Sequence, residues 1–175
     1  TKNGIEQTVY PCLVPLNTSI GRVNGVNNAV FIEGDQVGNV TLEGPGAGAG
    51  ATASSVVADI IDIASNRFSH VFNIKTSQLT NQDFAKIEQH EGKYYFRITV
   101  IDKVGVLSNI TDILNKVGIS MDSLIQEPSK EEANNVNIIG ITHNTNEQTM
   151  QQAVKKIASL DNVTQATELI PIETI

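Results

Sequence analysis

Two apolar stripes at helical spacing constrain this chain more than any other feature of it. Leu107, Ile110, Ile113, Leu114 and Val117 recur every three or four residues, and so do Met150, Ala153, Val154, Ile157 and Leu160. Each set falls on one side of a helix, because residues three and four apart lie one above the other along a 3.6-residue turn. Around the stripes, Lys93 to Ile101, Ile119 to Gln126, Asn135 to His143 and Val163 to Ile172 read as short strands. The predicted order is therefore β-α-β-β-α-β, with the first helix over Gly105 to Val117 and the second over Glu147 to Leu160. Gly118 stands where a left-handed C-terminal cap is wanted, and Asn146 can cap the second helix through its side chain.

Four strands with two helices on one face make a ferredoxin-like sandwich of the α+β class. The bare face and edges of such a sheet favour pairing with a second copy. The earlier half of the chain has a different grain: nine of the thirteen glycines fall between Gly4 and Gly50. There, Thr8 to Val14, Ala29 to Glu33 and Val37 to Glu43 suggest strands, the last two joined through Asp35-Gln36. After the run Gly44-Pro45-Gly46-Ala47-Gly48-Ala49-Gly50, the series Val56, Val57, Ile60, Ile61, Ile63 and Ala64 suits a helix with one buried side, capped by Thr52 or Ser54. The pattern then weakens, with a short helical candidate at Asn81 to Gln89. Three parts follow: residues 1–66, a connection over 67–92, and a regular module over 93–175.

Composition excludes several functions. Twelve Lys plus Arg against nineteen Asp plus Glu give −7, and no window holds a basic patch, so nucleic acid is not an expected partner. No apolar run approaches the roughly 20 residues of a membrane span, so no membrane partner is expected either. A single cysteine, Cys12, cannot close an internal disulfide, and three scattered histidines do not supply a zinc-binding spacing; a reducing compartment, the cytoplasm, and no metal are expected. His70, His90 and His143 read as surface residues, Cys12 as a small buried hydrophobe, and Glu127, Lys130, Glu131 and Glu132 as a solvated turn. The start, Thr1-Lys2-Asn3-Gly4, has neither an initiator methionine nor the plan of a signal peptide, which suggests a piece of a longer chain.

Two segments can carry chemistry. Small residues between a strand and a helix let backbone amides approach a phosphate or a ring, with the partial positive charge of the helix start behind them. The glycine run meets the dinucleotide pattern only in its Ala form, through Gly44, Gly46 and Ala49 or Gly46, Gly48 and Ala51, and no Lys follows it as a phosphate loop requires. On the pattern alone, tight strand-to-helix packing is the plainer reading. The second segment is Asp102-Lys103-Val104-Gly105-Val106-Leu107, at a strand-to-helix turn. Amides at that helix start can take a carboxylate while Asp102 holds an ammonium, so an amino acid satisfies both halves. The plainer reading makes Asp102 an N-terminal charge and Gly105 a tight turn.

The stretches Val9-Tyr10-Pro11-Cys12-Leu13-Val14-Pro15, Val23-Asn24-Gly25-Val26-Asn27-Asn28-Ala29, Gly44-Pro45-Gly46-Ala47-Gly48 and Thr52-Ala53-Ser54-Ser55-Val56-Val57-Ala58-Asp59 together resemble the end of the catalytic region of homoserine dehydrogenase. From about Tyr94 onward the chain resembles the ACT regulatory domain that many bacterial members carry. The resemblance implies an enzyme that interconverts aspartate 4-semialdehyde and homoserine with NADP or NAD, on the route to threonine, methionine and isoleucine. It implies that residues 1–66 are the closing part of a substrate domain, and that the nucleotide-binding domain and the catalytic lysine lie before the part seen here. No catalytic residue is therefore expected in this chain, which should be inactive alone.

By the same resemblance, Gly46, Ala47 and Gly48 lie near the nicotinamide end of the cofactor. The residues Asp102, Lys103, Val104, Gly105, Val106 and Leu107 form an effector site, with threonine as the leading ligand and a dimer formed through the ACT domains. Asn66 to Gly92 is the expected route of coupling. Two departures stand out: Val104 replaces the proline common before this glycine, and Asn17-Thr18-Ser19-Ile20-Gly21 is more polar than usual. A free-standing amino-acid-binding regulator, with the first module as a protein-contact surface, is the alternative; an independent phosphate-binding domain ranks last.

Overall fold

The computed structural model describes residues 4–67, 74–128 and 134–174. It divides into two compact units, Thr1–Leu13 with Asp83–Thr174 and Val14–Gln82. His70, Lys130, Glu131 and Glu132 lie outside the described residues.

The smaller unit begins with a 3-10 turn at Ile20–Arg22 and continues as a hairpin of β1 (Asn27–Gly34) and β2 (Gly38–Pro45), paired in register from Asn27 opposite Pro45 to Gly34 opposite Gly38. Three residues, 35–37, form the tip, and Gly38, which closes it opposite Gly34, takes the left-handed conformation at φ +70°, one that a residue without Cβ adopts without strain. Helix α1 (Ala49–Ala64) follows. Gly48 stands at its cap instead of Thr52 or Ser54, and no side chain caps it. Thr52 instead donates its hydroxyl back to the Gly48 carbonyl at 3.0 Å, which consumes the group a cap would need. The expected buried side of this helix is absent: none of its residues is buried, and Val56, Val57, Ile60, Ile61 and Ile63 are 51–63% exposed.

The larger unit is the βαββαβ sandwich. Its elements are β3 (Glu91–Ile101), α2 (Val106–Lys116), β4 (Met121–Pro128), β5 (Asn135–Thr142), the two-residue β6 (Thr145–Asn146), α3 (Glu147–Ala158) and β7 (Glu168–Ile172). The sheet order is β4-β5-β3-β7 with antiparallel pairing throughout, and β6 extends the β5 side along Glu91 and Gly92. Strand alternation sends Tyr94, Phe96, Ile98 and Val100 of β3 to one face. There they pack with Val106, Ile110 and Leu114 of α2 and Met150, Ala153 and Ile157 of α3 in a single buried core. Gly118 has φ +80° just past α2, and Asn146 accepts a hydrogen bond from the Thr149 N–H at 2.8 Å. The strand expected from Val163 begins only at Glu168; Val163 makes an isolated bridge to Val100, and Thr164 bonds the Thr99 carbonyl through both its N–H and its hydroxyl. Side-chain competition for backbone groups breaks the ladder there.

Residues 4–13 group with this sandwich and not with the hairpin. The reason is a set of long-range attachments. Ile5 bridges Phe84 in parallel, so the helix expected over Asn81 to Gln89 is reduced to a 3-10 turn at Ile87–Gln89. Glu6 pairs with the His90 imidazole, and the Tyr10 hydroxyl donates to Glu173. Leu13 bridges Ile172, its N–H bonding the Pro171 carbonyl and its carbonyl accepting from the Glu173 N–H, both at 2.9 Å. The expected strand Thr8 to Val14 is confined to that one bridge. His90, expected at the surface, has a side chain only 12% exposed and sits edge-on to Tyr10 and Tyr94.

Two outcomes follow from this packing. A Cβ on Gly140 of β5 would lie 2.4 Å from Phe96 Cζ and 2.7 Å from Met121 Cε, so Gly140→Ala should cost about 1–3 kcal/mol by overpacking, measured by urea unfolding. Burial, then the hydrogen bond to Glu173, pushes the Tyr10 hydroxyl up to about 12 from its ordinary 10.0. The folded chain thus holds this proton more tightly than the unfolded one. Its stabilisation is complete below pH 10.0 and is lost as pH rises to about 12. Stability should fall more steeply across that window in the wild type than in Tyr10→Phe; Tyr94, raised in the same direction by burial and by Glu147, contributes in both.

Candidate functional site

The turn after β3 is built by a conformational switch at one residue. Ile101 and Asp102 leave the strand with their N–H groups bonded to the carbonyls of Asn162 (2.9 Å) and Asn134 (3.0 Å). Gly105 then adopts φ +92°, where a side chain would be strained, and starts α2 with no side-chain cap. The first N–H groups of a helix have no partner within it, so α2 offers donors at this end.

All six residues from Asp102 to Leu107 line one open cavity of about 250 Å³. Its floor is aliphatic and continuous with the core: Val100, Val106, Val136 and Ile138 are at most 9% exposed. The rim carries Asp102, Lys103 and, from β4, Gln126. Val104 is fully exposed at the lip, where the missing proline ring would have stood. Gln126 was not singled out by sequence reasoning, since only the pairing of β4 with β5 brings it near the turn. Asp102 and Lys103 also border a second cavity of about 490 Å³ lined by Pro128, Asn134 and Asn135. An open cavity with an apolar floor, one carboxylate, one ammonium and a helix start can take a small zwitterion whose side chain is short and largely apolar.

The glycine corner lies in the other unit. Gly46 donates to the Val26 carbonyl at 2.8 Å, and a Cβ there would fall 2.0 Å from Asn28 Nδ2. The two glycine- and asparagine-containing motifs are thus parts of one corner. At Gly48 the constraint is conformational, with φ +115°, and a Cβ would meet nothing within 4 Å. Gly46, Ala47 and Gly48 are exposed, and the first turn of α1 holds no acidic residue. The corner therefore offers uncapped amides and open space, compatible with a phosphate or an aromatic ring.

Other candidates resolve plainly. Cys12 is partly buried, and burial and the neighbouring Glu173 push its thiol up, away from a nucleophilic thiolate. Among the described residues no group of three or more His, Cys, Asp or Glu side chains could hold a metal, and no helix is long and apolar enough to cross a membrane.

Known proteins share both parts of this sequence. Residues 2–61 match the family model for homoserine dehydrogenase, and residues 94–162 match the ACT domain. The whole chain aligns with a homoserine dehydrogenase of Pseudomonas aeruginosa at 36% identity and with that of Neisseria gonorrhoeae at 34%, covering 42% and 41% of those proteins. A crystal structure of a homoserine dehydrogenase from Thiobacillus denitrificans superposes with a TM-score of 0.85 at 36% identity, over 99% of this chain and 40% of that one. The chain is thus similar to homoserine dehydrogenases along nearly its whole length, and its later part matches the ACT domain. It spans about 40% of the length of the relatives it matches, and both candidate sites fall within residues matched by one or the other family model.

Proposed function

We propose that this chain is the C-terminal part of a homoserine dehydrogenase, joining the closing segment of the substrate domain to an ACT sensor. The observation that carries the reading is the agreement of sequence and backbone along nearly the whole chain with relatives of that name. The parent enzyme interconverts L-homoserine and L-aspartate 4-semialdehyde in threonine, methionine and isoleucine biosynthesis. It works in the cytoplasm and uses NADP or NAD, which accepts or supplies the hydride when bound.

Gly46, Ala47 and Gly48 of this chain form a wall beside the nicotinamide. The open space where Gly48 lacks a side chain fits close approach of a ring, and the rigid contact of Gly46 with Asn28 holds the corner's shape. The remaining groups, including those that move protons, belong to the part of the parent protein that the relatives have in addition. The uncovered stripe of α1 supports this division, since a helix with five half-exposed aliphatic residues needs a partner to bury them.

The cavity beside Asp102 takes an amino acid effector, with threonine first. Asp102 holds the ammonium, the start of α2 and Lys103 hold the carboxylate, and the side chain lies over the aliphatic floor. At about 250 Å³ the cavity lies below the range of pockets for drug-sized ligands and suits one small amino acid. Pairing of two ACT domains, with β4 as an available sheet edge, gives a homodimer. For regulation the effector must favour one of two conformations of the enzyme.

Calorimetric titration of the chain with threonine, isoleucine, methionine and homoserine tests the sensor. Threonine should release heat, and Asp102→Ala should weaken it by about tenfold or more, the scale of one hydrogen bond to a charged group. Absence of heat with all four removes the effector reading. Homoserine and NADP added to this chain should give no reduced cofactor; measurable turnover would show that the catalytic groups lie within these 175 residues.

A further inference from the structure

The segment from Gly4 to Leu13 is held to the sandwich in an unusual way. It is fastened at separated points and not along a continuous ladder: the Ile5 bridge, the Glu6–His90 pair, the Tyr10–Glu173 hydrogen bond and the Leu13 bridge. Between them Thr8, Val9 and Pro11 are exposed. Segments with few buried contacts and isolated hydrogen bonds open at low free energy. The attachments nevertheless land on structurally central residues. His90 directly precedes β3, its carbonyl accepts the Glu147 N–H at the start of α3, and its ring lies against Tyr94, which is fully buried in the core. Glu173 directly follows β7, the neighbour of β3. The other end of β3, at Val100 and Ile101, lines the cavity beside Asp102. In sequence, Leu13 leads directly into the unit that holds the glycine corner.

We infer that residues 4–13 form a releasable strap, whose docking on the β3–β7 end of the ACT module couples the state of the cavity at the opposite end of β3 to the rest of the chain. The inference deepens the effector reading of that cavity and rests on it for the identity of the probe. It stands beside the Asn66 to Gly92 connection as a second coupling element. The coupling is a linkage: a ligand that favours the strapped form tightens the strap, and a loosened strap weakens the ligand by the same factor.

Amide hydrogen exchange on the full 175-residue chain, with and without saturating threonine, tests this. The reporters are the Leu13 and Glu173 N–H groups, bonded across the strap, and the Phe96 N–H on the core strand. In the Glu6→Gln, Tyr10→Phe double variant the first two should exchange about tenfold faster with Phe96 unchanged, as expected for losing bonds to charged groups on a local opening. Acceleration of all three together, or Leu13 exchanging like an open loop in the wild type, overturns a separate strap. In the wild type, threonine should slow Leu13 about fivefold or more, the lower end of typical couplings. A threonine that releases heat but slows only Phe96 binds without coupling, and overturns the inference. Should no amino acid release heat, the effector reading falls, and Gly105→Ala decides the coupling by straining the cavity loop at φ +92°. A faster Leu13 N–H then sustains it, and an unchanged one overturns it.

Discussion

The alternation of β3 is the constraint on which the ACT module depends. Tyr94, Phe96, Ile98 and Val100 are each at most 1% exposed, and every one meets side chains from α2 or α3 or from the strands beside it. A single strand thereby organises both helices. Fully burying a side chain of this size is worth roughly 1.5–3 kcal/mol, so these four positions outweigh any polar contact at the surface of the module. One polar side chain inside the core serves the strand itself: Thr142, fully buried, accepts the Tyr94 N–H through its hydroxyl at 3.0 Å. Gly140 beside Phe96 shows the same economy of space, because the ring occupies the volume that a Cβ would need.

This part of the fold was legible because periodicity and burial agree. The stripe Leu107, Ile110, Ile113, Leu114 and Val117 contains both fully buried positions of the middle of α2, and Gly118 and Asn146 mark the helix ends where backbone conformation and side-chain chemistry demand them. The turn Asp102 to Leu107 could be found for a related reason, since a strand, a glycine and an apolar stripe in immediate succession leave few other geometries. Gln126 and Val136 could not be assigned to the same cavity, because their proximity depends on strand order and not on any local signal.

The strap was illegible for a physical reason. Its residues Ile5, Val9 and Leu13 are apolar, yet they are 41% or more exposed, and what fixes the segment is polar and distant in sequence. Tyr10 and Glu173 stand 163 positions apart, and Glu6 and His90 stand 84 apart. No window of sequence contains both partners, so Thr8 to Val14 reads as an ordinary strand and His90 as a surface residue. The docked segment also explains the short helix at 87–89: Ile5 exchanges backbone bonds with Asp83 and Ala85, which removes those groups from any helical ladder.

The two units differ in what they can stabilise alone. Among the described residues, the ACT module has thirteen buried hydrophobic residues in one cluster, whereas the Val14–Gln82 unit has no buried residue. Local rules still shape the second unit: the hairpin register, the glycine at its tip and the packing of Asn28 on Gly46 are all set by short-range sterics. Such rules fix a corner but supply no hydrophobic gain to offset the entropy of ordering it. The apolar side chains of α1 are exposed and contribute little of that gain. The two candidate sites therefore rest on different support: the cavity beside Asp102 is assembled by one strand, one helix start and their neighbours over a buried aliphatic core, while the glycine corner is held by short-range sterics in a unit whose apolar helix side chains are exposed.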